Sequence, residues 1–490
     1  MRTLFLDLDT LRADHLGCYG YTRNTSPNID KIASKAVRFT NYFCSDAPCL
    51  PSRSALMSGR FGIHTGVVGH GGSAADQVVE GENRGFKTKY ANSCLPNIFR
   101  ENGCKTALVS PFPERHSAFW FYAGFNEMFN TGKSGGENAD EIAPAAISWI
   151  RQNAKKDDWY LHINFWDAHT PYRVPMSYGN PFENDDIPEF YTEEILENHK
   201  KMAGIHKPYE MNMYDDKVNK ENKRYPGRVT DMKLLKQLID GYDTGIRYMD
   251  DYIGILLDEL NGQGVSLDEL NIIVTADHAE NMGELGIYGE HATADVGTCK
   301  IPMIIKWQGG KEGSVDDNLH YNLDLCPTIS ELYGKAPKAN WDGISYANAI
   351  VNTGKEDKKN EYLVISQMAH VAQRSVIWSN WLYIRTYHDG HSLFNKNMLF
   401  NLDNDPYEQK DVAEKYPEIA SKMASLLLDW QDAMMETSAT KVDPLYTVMR
   451  EGGPSHARGE LDHYLEFLTE TDRNSLAEIL KNRTHPYGRE

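Results

Sequence analysis

Carboxylates and histidines gather at the ends of apolar runs in this chain. "TLFLDLD" sets Asp7 and Asp9 two residues apart, "HINFWDAHTPY" puts Asp167 and His169 after a second run, and "NIIVTADHAEN" puts Asp277 and His278 after a third. Residues two apart in a strand project to the same face, so Asp7 and Asp9 point together. Hard divalent cations take several carboxylate oxygens. Two or three Asp with one His suit calcium or magnesium better than structural zinc. One such Asp alone reads as a cap or turn residue; several at strand ends read as a metal site. A different chemistry is suggested by "CSDAPCLPSRSALMSGR", residues 44 to 60, in which Cys49 precedes Pro51, Ser52 and Arg53. A lone cysteine is most often a small buried residue. A thiol nucleophile needs a histidine partner and surroundings that lower its pKa, and the neighbouring sequence offers neither. Core thiol, nucleophile, metal ligand and modified precursor all stay open on these residues alone.

The elements that must position these groups are legible in outline. "TLFLDLD" reads as a buried strand and "SPNIDKIASKAVRF" as the helix after it, with Ser26 and Pro27 as start signals. "CLPNIFRENG" then "CKTALVS", "APAAISWIRQN" then "WYLHINFWDAHTPY", and "MDDYIGILLDELNGQG" then "NIIVTADHAEN" repeat a helix–strand unit. This alternation predicts an α/β fold whose large mixed, mostly parallel sheet is sandwiched by helices. Ligands bind beyond the carboxyl ends of the strands in such sheets. Residues 175 to 232, rich in Pro, Asn, Asp, Tyr and Lys, read as an insertion that forms a substrate-facing lid. "VNTGKEDKKNE" reads as a charged linker, dividing a catalytic domain (1–360) from a smaller C-terminal α+β domain (361–490). The latter is expected to hold an antiparallel sheet ("YLVISQ", "SVIWSN", "WLYIRTYH") and helices near 414–436 and 459–481.

Composition narrows the class. No apolar run is long enough to cross a bilayer, and the opening residues resemble a signal peptide only briefly before Asp7 and Asp9 interrupt them. With Met1 as the native start, a cytoplasmic location is expected. Seven scattered cysteines without a CxxC pair suit a reducing compartment and argue against a zinc framework. A formal charge of −19 argues against nucleic acid or anionic membrane as partner.

Cys49-Leu50-Pro51-Ser52-Arg53, continued to Ser58-Gly59-Arg60, resembles the signature of the formylglycine-dependent sulfatases of the alkaline phosphatase superfamily. "LDTLRADHLGCYGY", "FWDAHTPY", "TADHAENMGELGIYGEH", "CKIPMIIKWQGG" and "MLFNLDNDPYEQKDVA" resemble further blocks of that family, in order along nearly the whole chain. The resemblance implies hydrolysis of a sulfate ester. Cys49 would be oxidised to formylglycine by a formylglycine-generating or anaerobic sulfatase-maturating enzyme that reads Ser52 and Arg53. It implies Asp7, Asp9, Cys49, Asp277 and His278 as ligands of calcium, with magnesium or manganese as alternatives. Arg53 would stabilise developing charge, and His169 would give a proton to the leaving oxygen.

Departures from the family pattern set further expectations. Thr10 stands where a second acid usually follows Asp9, so Asp7 or Thr10 completes the shell. The family's Lys-x-His pair is replaced by "SPFPERHS", which assigns sulfate binding and proton handling to Arg115 and His116. The usual lysine after the second metal block is missing, leaving His291 or Lys300 to replace it. His70, Arg385 and His388, with His391, are candidates for substrate recognition. The expected substrate is a small sulfated saccharide, derived from a glycosaminoglycan or an algal polysaccharide. A phosphonate monoester or phosphodiester hydrolase is the rival enzyme, and a non-catalytic binding protein the rival from another class. The oligomeric state is not set by the sequence.

Overall fold

Strands covered on both faces bury every side chain, and the central strands of this chain are buried almost end to end. The structure is a computed structural model describing residues 1–80, 89–211, 222–354 and 356–483. Its strands are β1 (Arg2–Leu8), β2 (Val37–Phe43), β3 (Asp46–Ala47), β4 (Lys105–Val109), β5 (Glu127–Phe129), β6 (Trp159–Phe165), β7 (Leu270–Thr275), β8 (Asn281–Met282), β9 (Tyr288–Glu290), β10 (Met303–Lys306) and β11 (Ser314–Tyr321). Four more follow: β12 (Leu363–Gln367), β13 (Ala372–Trp378), β14 (Trp381–His388) and β15 (Asn397–Asn401).

Eight of them form one sheet in the order β11-β2-β10-β7-β1-β6-β4-β5. The pairs β1–β6, β1–β7, β4–β6 and β4–β5 are parallel, whereas β10 runs antiparallel to β7 and β2. β6 and β7 are buried along their whole length. Helices Pro27–Ala33, Ala139–Asn153 and Met232–Gly262 pack with one another, and Cys49–Ser58, Leu95–Glu101 and Leu325–Leu332 form a second group. The long helix buries Leu235, Leu238, Tyr242, Ile246, Met249, Ile253, Leu256 and Leu260. Their spacing of three and four makes one apolar stripe, and burying each large side chain contributes roughly 1.5–3 kcal/mol. Its Asp250 carboxylate accepts the N–H groups of Asn28 and Ile29, capping the neighbouring short helix.

The α/β class with a separate antiparallel sheet is as the sequence predicts; three details differ. Helix formation after Ser26 ends at Ala33, and "VRFTNYF" is strand β2, since its aromatic and β-branched residues fit a pleated, half-buried surface. The helix before β7 begins at Met232, not near Met249. Near the C-terminus, Pro444–Arg450, Leu461–Glu470 and Asn474–Asn482 are separate helices after Pro417–Thr437. The second sheet runs β15-β14-β13-β12-β3. Its edge strand β3 lies directly before Cys49 and pairs in parallel with β12, so the late strands and the cysteine segment share backbone hydrogen bonds. Residues 212–221 of the insertion and Lys355 of the linker lie outside the described residues.

Candidate active site

Arg53 holds the strand ends together. It projects from helix Cys49–Ser58 with its guanidinium among Asp7, Asp9 (Oδ2, 2.7 Å) and Asp277 (Oδ2, 3.2 Å), all fully buried. Asp7 is the penultimate residue of β1, Asp9 follows the strand with its N–H on the Phe165 carbonyl of β6, and Asp277 follows β7. Ser52, one residue earlier, donates its hydroxyl to the Asp277 carbonyl and accepts from the Asn322 side-chain amide. The Ser-Arg pair is therefore what locks the cysteine helix onto the carboxylate loops.

Three carboxylates against one guanidinium leave negative charge without compensation. Burial, opposed by Arg53 and reinforced by Asp9, lifts Asp277 to about 6. Asp9 feels the same burial, but Arg53, His169 and His278 hold it well below the usual range. Asp277 Oδ2 and Asp7 Oδ1 are buried without a hydrogen-bond partner. One ligand atom each from Asp9, Cys49, Asp277 and His278 lies within 4.8 Å of the others. These residues fit a hard divalent cation on charge and donor type. His278 Nδ1 faces the Ala279 carbonyl at 2.9 Å, which leaves Nε2 toward Cys49 Sγ at 3.0 Å.

Asp7 and Thr10, the two candidates for the fourth ligand, sit differently. Asp7 belongs to none of the metal-capable groups among the described residues; its Oδ2 is taken by Arg53 and by His162 Nε2 at 3.1 Å. It is a countercharge to Arg53. Thr10 has a positive φ of 62°, donates its hydroxyl to Asp9 Oδ1 at 2.7 Å and its N–H to Asp277 Oδ1 at 3.2 Å, so it orients both acids. Asp167, at the end of β6, caps helix Ala139–Asn153 by accepting the Ala139 N–H.

A cavity of about 720 Å³ opens on Cys49. Arg115, His116, His169, His70 and His291 line it. His169 sets Nδ1 against its neighbour's carbonyl, Thr170 O, at 2.6 Å, and burial drives its pKa well below normal. Burial, followed by Arg115, takes His116 down to about 3. Both rings are thus neutral before an anion arrives. His291 Nε2 is turned to Glu290 at 2.9 Å, and the ring offers one ligand atom within 4.8 Å of those of Cys49 and His278.

Lys300, Arg385 and His388 do not line this cavity. Lys300 is directed by a single bridge to Phe43 and lies over that ring at 6.0 Å. Arg385 faces Asn397, its partner in the β14–β15 register, and donates to it at 2.7 Å. His388 accepts the Gly390 N–H in a turn, and His391 meets the Ala457 carbonyl. In their place stand His206, Glu290, His370 and His456. His206, His370 and His456 carry no sequence signal, because they come from the insertion, a bend and a C-terminal turn; Glu290 lies inside the block "TADHAENMGELGIYGEH" but does not stand out there.

A buried acidic pocket that fits a cation, beside a helix N-terminus and two neutral histidines, has the parts of a metal-assisted ester hydrolase. The sulfatase family model matches residues 3–335, and the chain belongs to the sulfatase family, the sulfuric ester hydrolases. It is 23% identical over 432 residues to the choline-sulfatase of Rhizobium meliloti, covering 79% of this chain and 78% of that one. Among solved structures it resembles a 2-O GAG sulfatase (TM-score 0.67, 19% identity, 94% of this chain and 98% of that one). It resembles the phosphonate monoester hydrolase of Agrobacterium radiobacter nearly as well (TM-score 0.66, 18% identity, 88% and 96%). These two likenesses establish the shared fold.

Proposed function

We propose that the chain removes sulfate from a small sulfated saccharide, with Cys49 converted to formylglycine and calcium held by Asp9, Asp277, His278 and residue 49. The observation that carries this reading is the Arg53 clamp, which sets the head of the Cys49 helix against three strand-end acids inside one cavity. As a thiol, Cys49 is poorly suited to attack. Burial, with Asp9 and Asp277 adding repulsion, pushes its pKa far up. Cys49 Sγ marks the place where an aldehyde hydrate would carry oxygen. The hydrate supplies a nucleophilic hydroxyl and a second one whose deprotonation expels sulfate. A bound divalent cation would lower the nucleophile's pKa and screen the sulfate oxygens.

The chain's own residues supply the rest. Arg115 and Arg53 present positive charge to an anion entering at Cys49. A bound sulfate raises the proton affinity of His169, which sits neutral with Nε2 free, so the ring can then protonate the leaving alcohol oxygen. His116 and His70, 4.8 Å apart between ring centres, supply a polar wall for sugar hydroxyls. A cytoplasmic enzyme would meet imported mono- or oligosaccharides, which suits a cavity of this volume.

Turnover of a panel of sulfated sugars, an aryl sulfate and a phosphonate monoester tests the substrate. Sulfated sugars are expected to react fastest; reaction of the phosphorus ester alone would overturn the reading. Mass spectrometry of the peptide holding residue 49 tests the modification, and a wholly unmodified thiol in active enzyme would exclude it.

A further inference from the structure

Outside the Arg53 clamp, the cavity carries a second cluster of a different character. Glu290 closes β9, His291 follows it, His370 lies in the bend between β12 and β13, and His206 comes from the insertion. Glu290 Oε1 is 2.9 Å from His291 Nε2 and 3.7 Å from His370 Nε2, while its Oε2 is 3.3 Å from His206 Nε2. One ligand atom each from Glu290, His291 and His370 lies within 4.8 Å of the other two. Their side chains are only 12%, 5% and 8% exposed.

The outer nitrogens decide what these rings can do. His206 Nδ1 faces the Met211 carbonyl at 2.9 Å, and His291 Nδ1 faces the Glu280 carboxylate at 3.4 Å. A carbonyl only accepts, so Nδ1 of His206 carries the hydrogen, and in the neutral ring Nε2 presents a lone pair to Glu290. Lone pairs aimed at a carboxylate repel it unless positive charge lies between them. Imidazoles anchored at Nδ1 by a carbonyl or carboxylate, with Nε2 free, are the outer-shell pattern of metal-bound histidines.

We propose that Glu290, His291 and His370, with His206 at the far oxygen, form a second metal site for a borderline transition cation of the zinc type. Imidazole-rich donors with one carboxylate select such an ion over calcium, whereas the Asp9–Asp277 site is carboxylate-rich and selects the reverse. The two sites share a wall, with the rings of His278 and His291 at 4.1 Å. Because the ligands line the Cys49 cavity, the ion's open position would take an oxygen donor of the substrate, a carboxylate or a hydroxyl. That last step rests on the saccharide reading; the metal site does not.

The test is a Zn2+ titration of chelator-stripped wild-type chain in excess Ca2+, with X-ray absorption at the zinc edge. One zinc per chain is expected, with nitrogen and oxygen neighbours and no sulfur. Co2+ in its place should give visible bands without the near-ultraviolet sulfur-to-metal band that Cys49 ligation would produce. Glu290→Gln and His370→Ala should each weaken zinc binding by at least about tenfold with calcium stoichiometry unchanged. Sulfur in the zinc shell, no bound zinc, or wild-type zinc affinity in both variants overturns the proposal. The absorption readout on the wild-type chain decides even where a variant fails to fold. Sulfate-ester turnover without zinc binding would leave the proposed function standing, and zinc binding without turnover would leave the metal site standing.

Discussion

At the scale of single residues, the site is a contest between burial and charge. Arg53 is fully buried, and its guanidinium has three acids around it. Lysine offers a point charge in place of a planar fork. Arg53→Ala is therefore expected to destabilise the chain by roughly 3–5 kcal/mol, the range for removing one partner of a buried ion pair, read as a fall in the denaturant midpoint; an unchanged midpoint would refute the clamp. His169 acts at the leaving group in the proposed reaction. His169→Ala should lower kcat by about 10²–10⁴-fold on a sugar sulfate and far less on an aryl sulfate whose phenolate leaves unaided. Equal losses on both substrates would remove it from that role.

Among the elements, helix Cys49–Ser58 matters most because its sequence faces three ways. Cys49 looks into the cavity, Ser52 onto the Asp277 loop and Arg53 into the acids. Ser52→Ala leaves the Asp277 carbonyl and the Asn322 amide short of a partner. The expected loss is about 1–3 kcal/mol of stability, with a weaker cation affinity as the readout that a purely structural contact elsewhere would not move. The insertion contributes a second case, since Ile205 and His206 reach the cavity while the Gly204 N–H is held by the Tyr464 hydroxyl. A C-terminal helix thereby fixes part of the cavity wall.

Across the whole molecule, stability is linked to ligand and to pH. Chelation of the divalent cation should lower Tm, because an ion bound to the folded state alone adds about 2.7 kcal/mol at a hundredfold excess over its Kd; a Tm indifferent to chelator and calcium would count against the site. Lys207 is wholly buried, and burial, opposed by Glu210 and Asp295, brings its pKa down to about 7. The unfolded chain holds that proton up to the ordinary lysine value, so it binds more protons between about 7 and 10.5. The penalty is complete below pH 7 and is relieved as pH rises through that window. Lys207→Met should raise Tm below pH 7 and flatten the rise above it, as followed by thermal melts across pH.

The local sequence by itself determined the strand-end acids, the Cys49 segment and most helix–strand units. Each of these rests on short-range patterning: Asp7 and Asp9 by strand periodicity, Ser26-Pro27 by start chemistry, and the cysteine motif by fixed spacing. It misread "VRF" as the end of the preceding helix, where pairing of β2 with β10 and β11 prevails. Only the tertiary structure decided that Asp7 is a countercharge to Arg53, that His291 is turned to Glu290, and that Lys300, Arg385 and His388 lie off the cavity. It alone brought His206, Glu290, His370 and His456 together. Apart from the adjacent Glu290–His291 pair, these placements bring together residues tens to hundreds of positions apart, and they are set by strand order and loop packing, which no local pattern encodes.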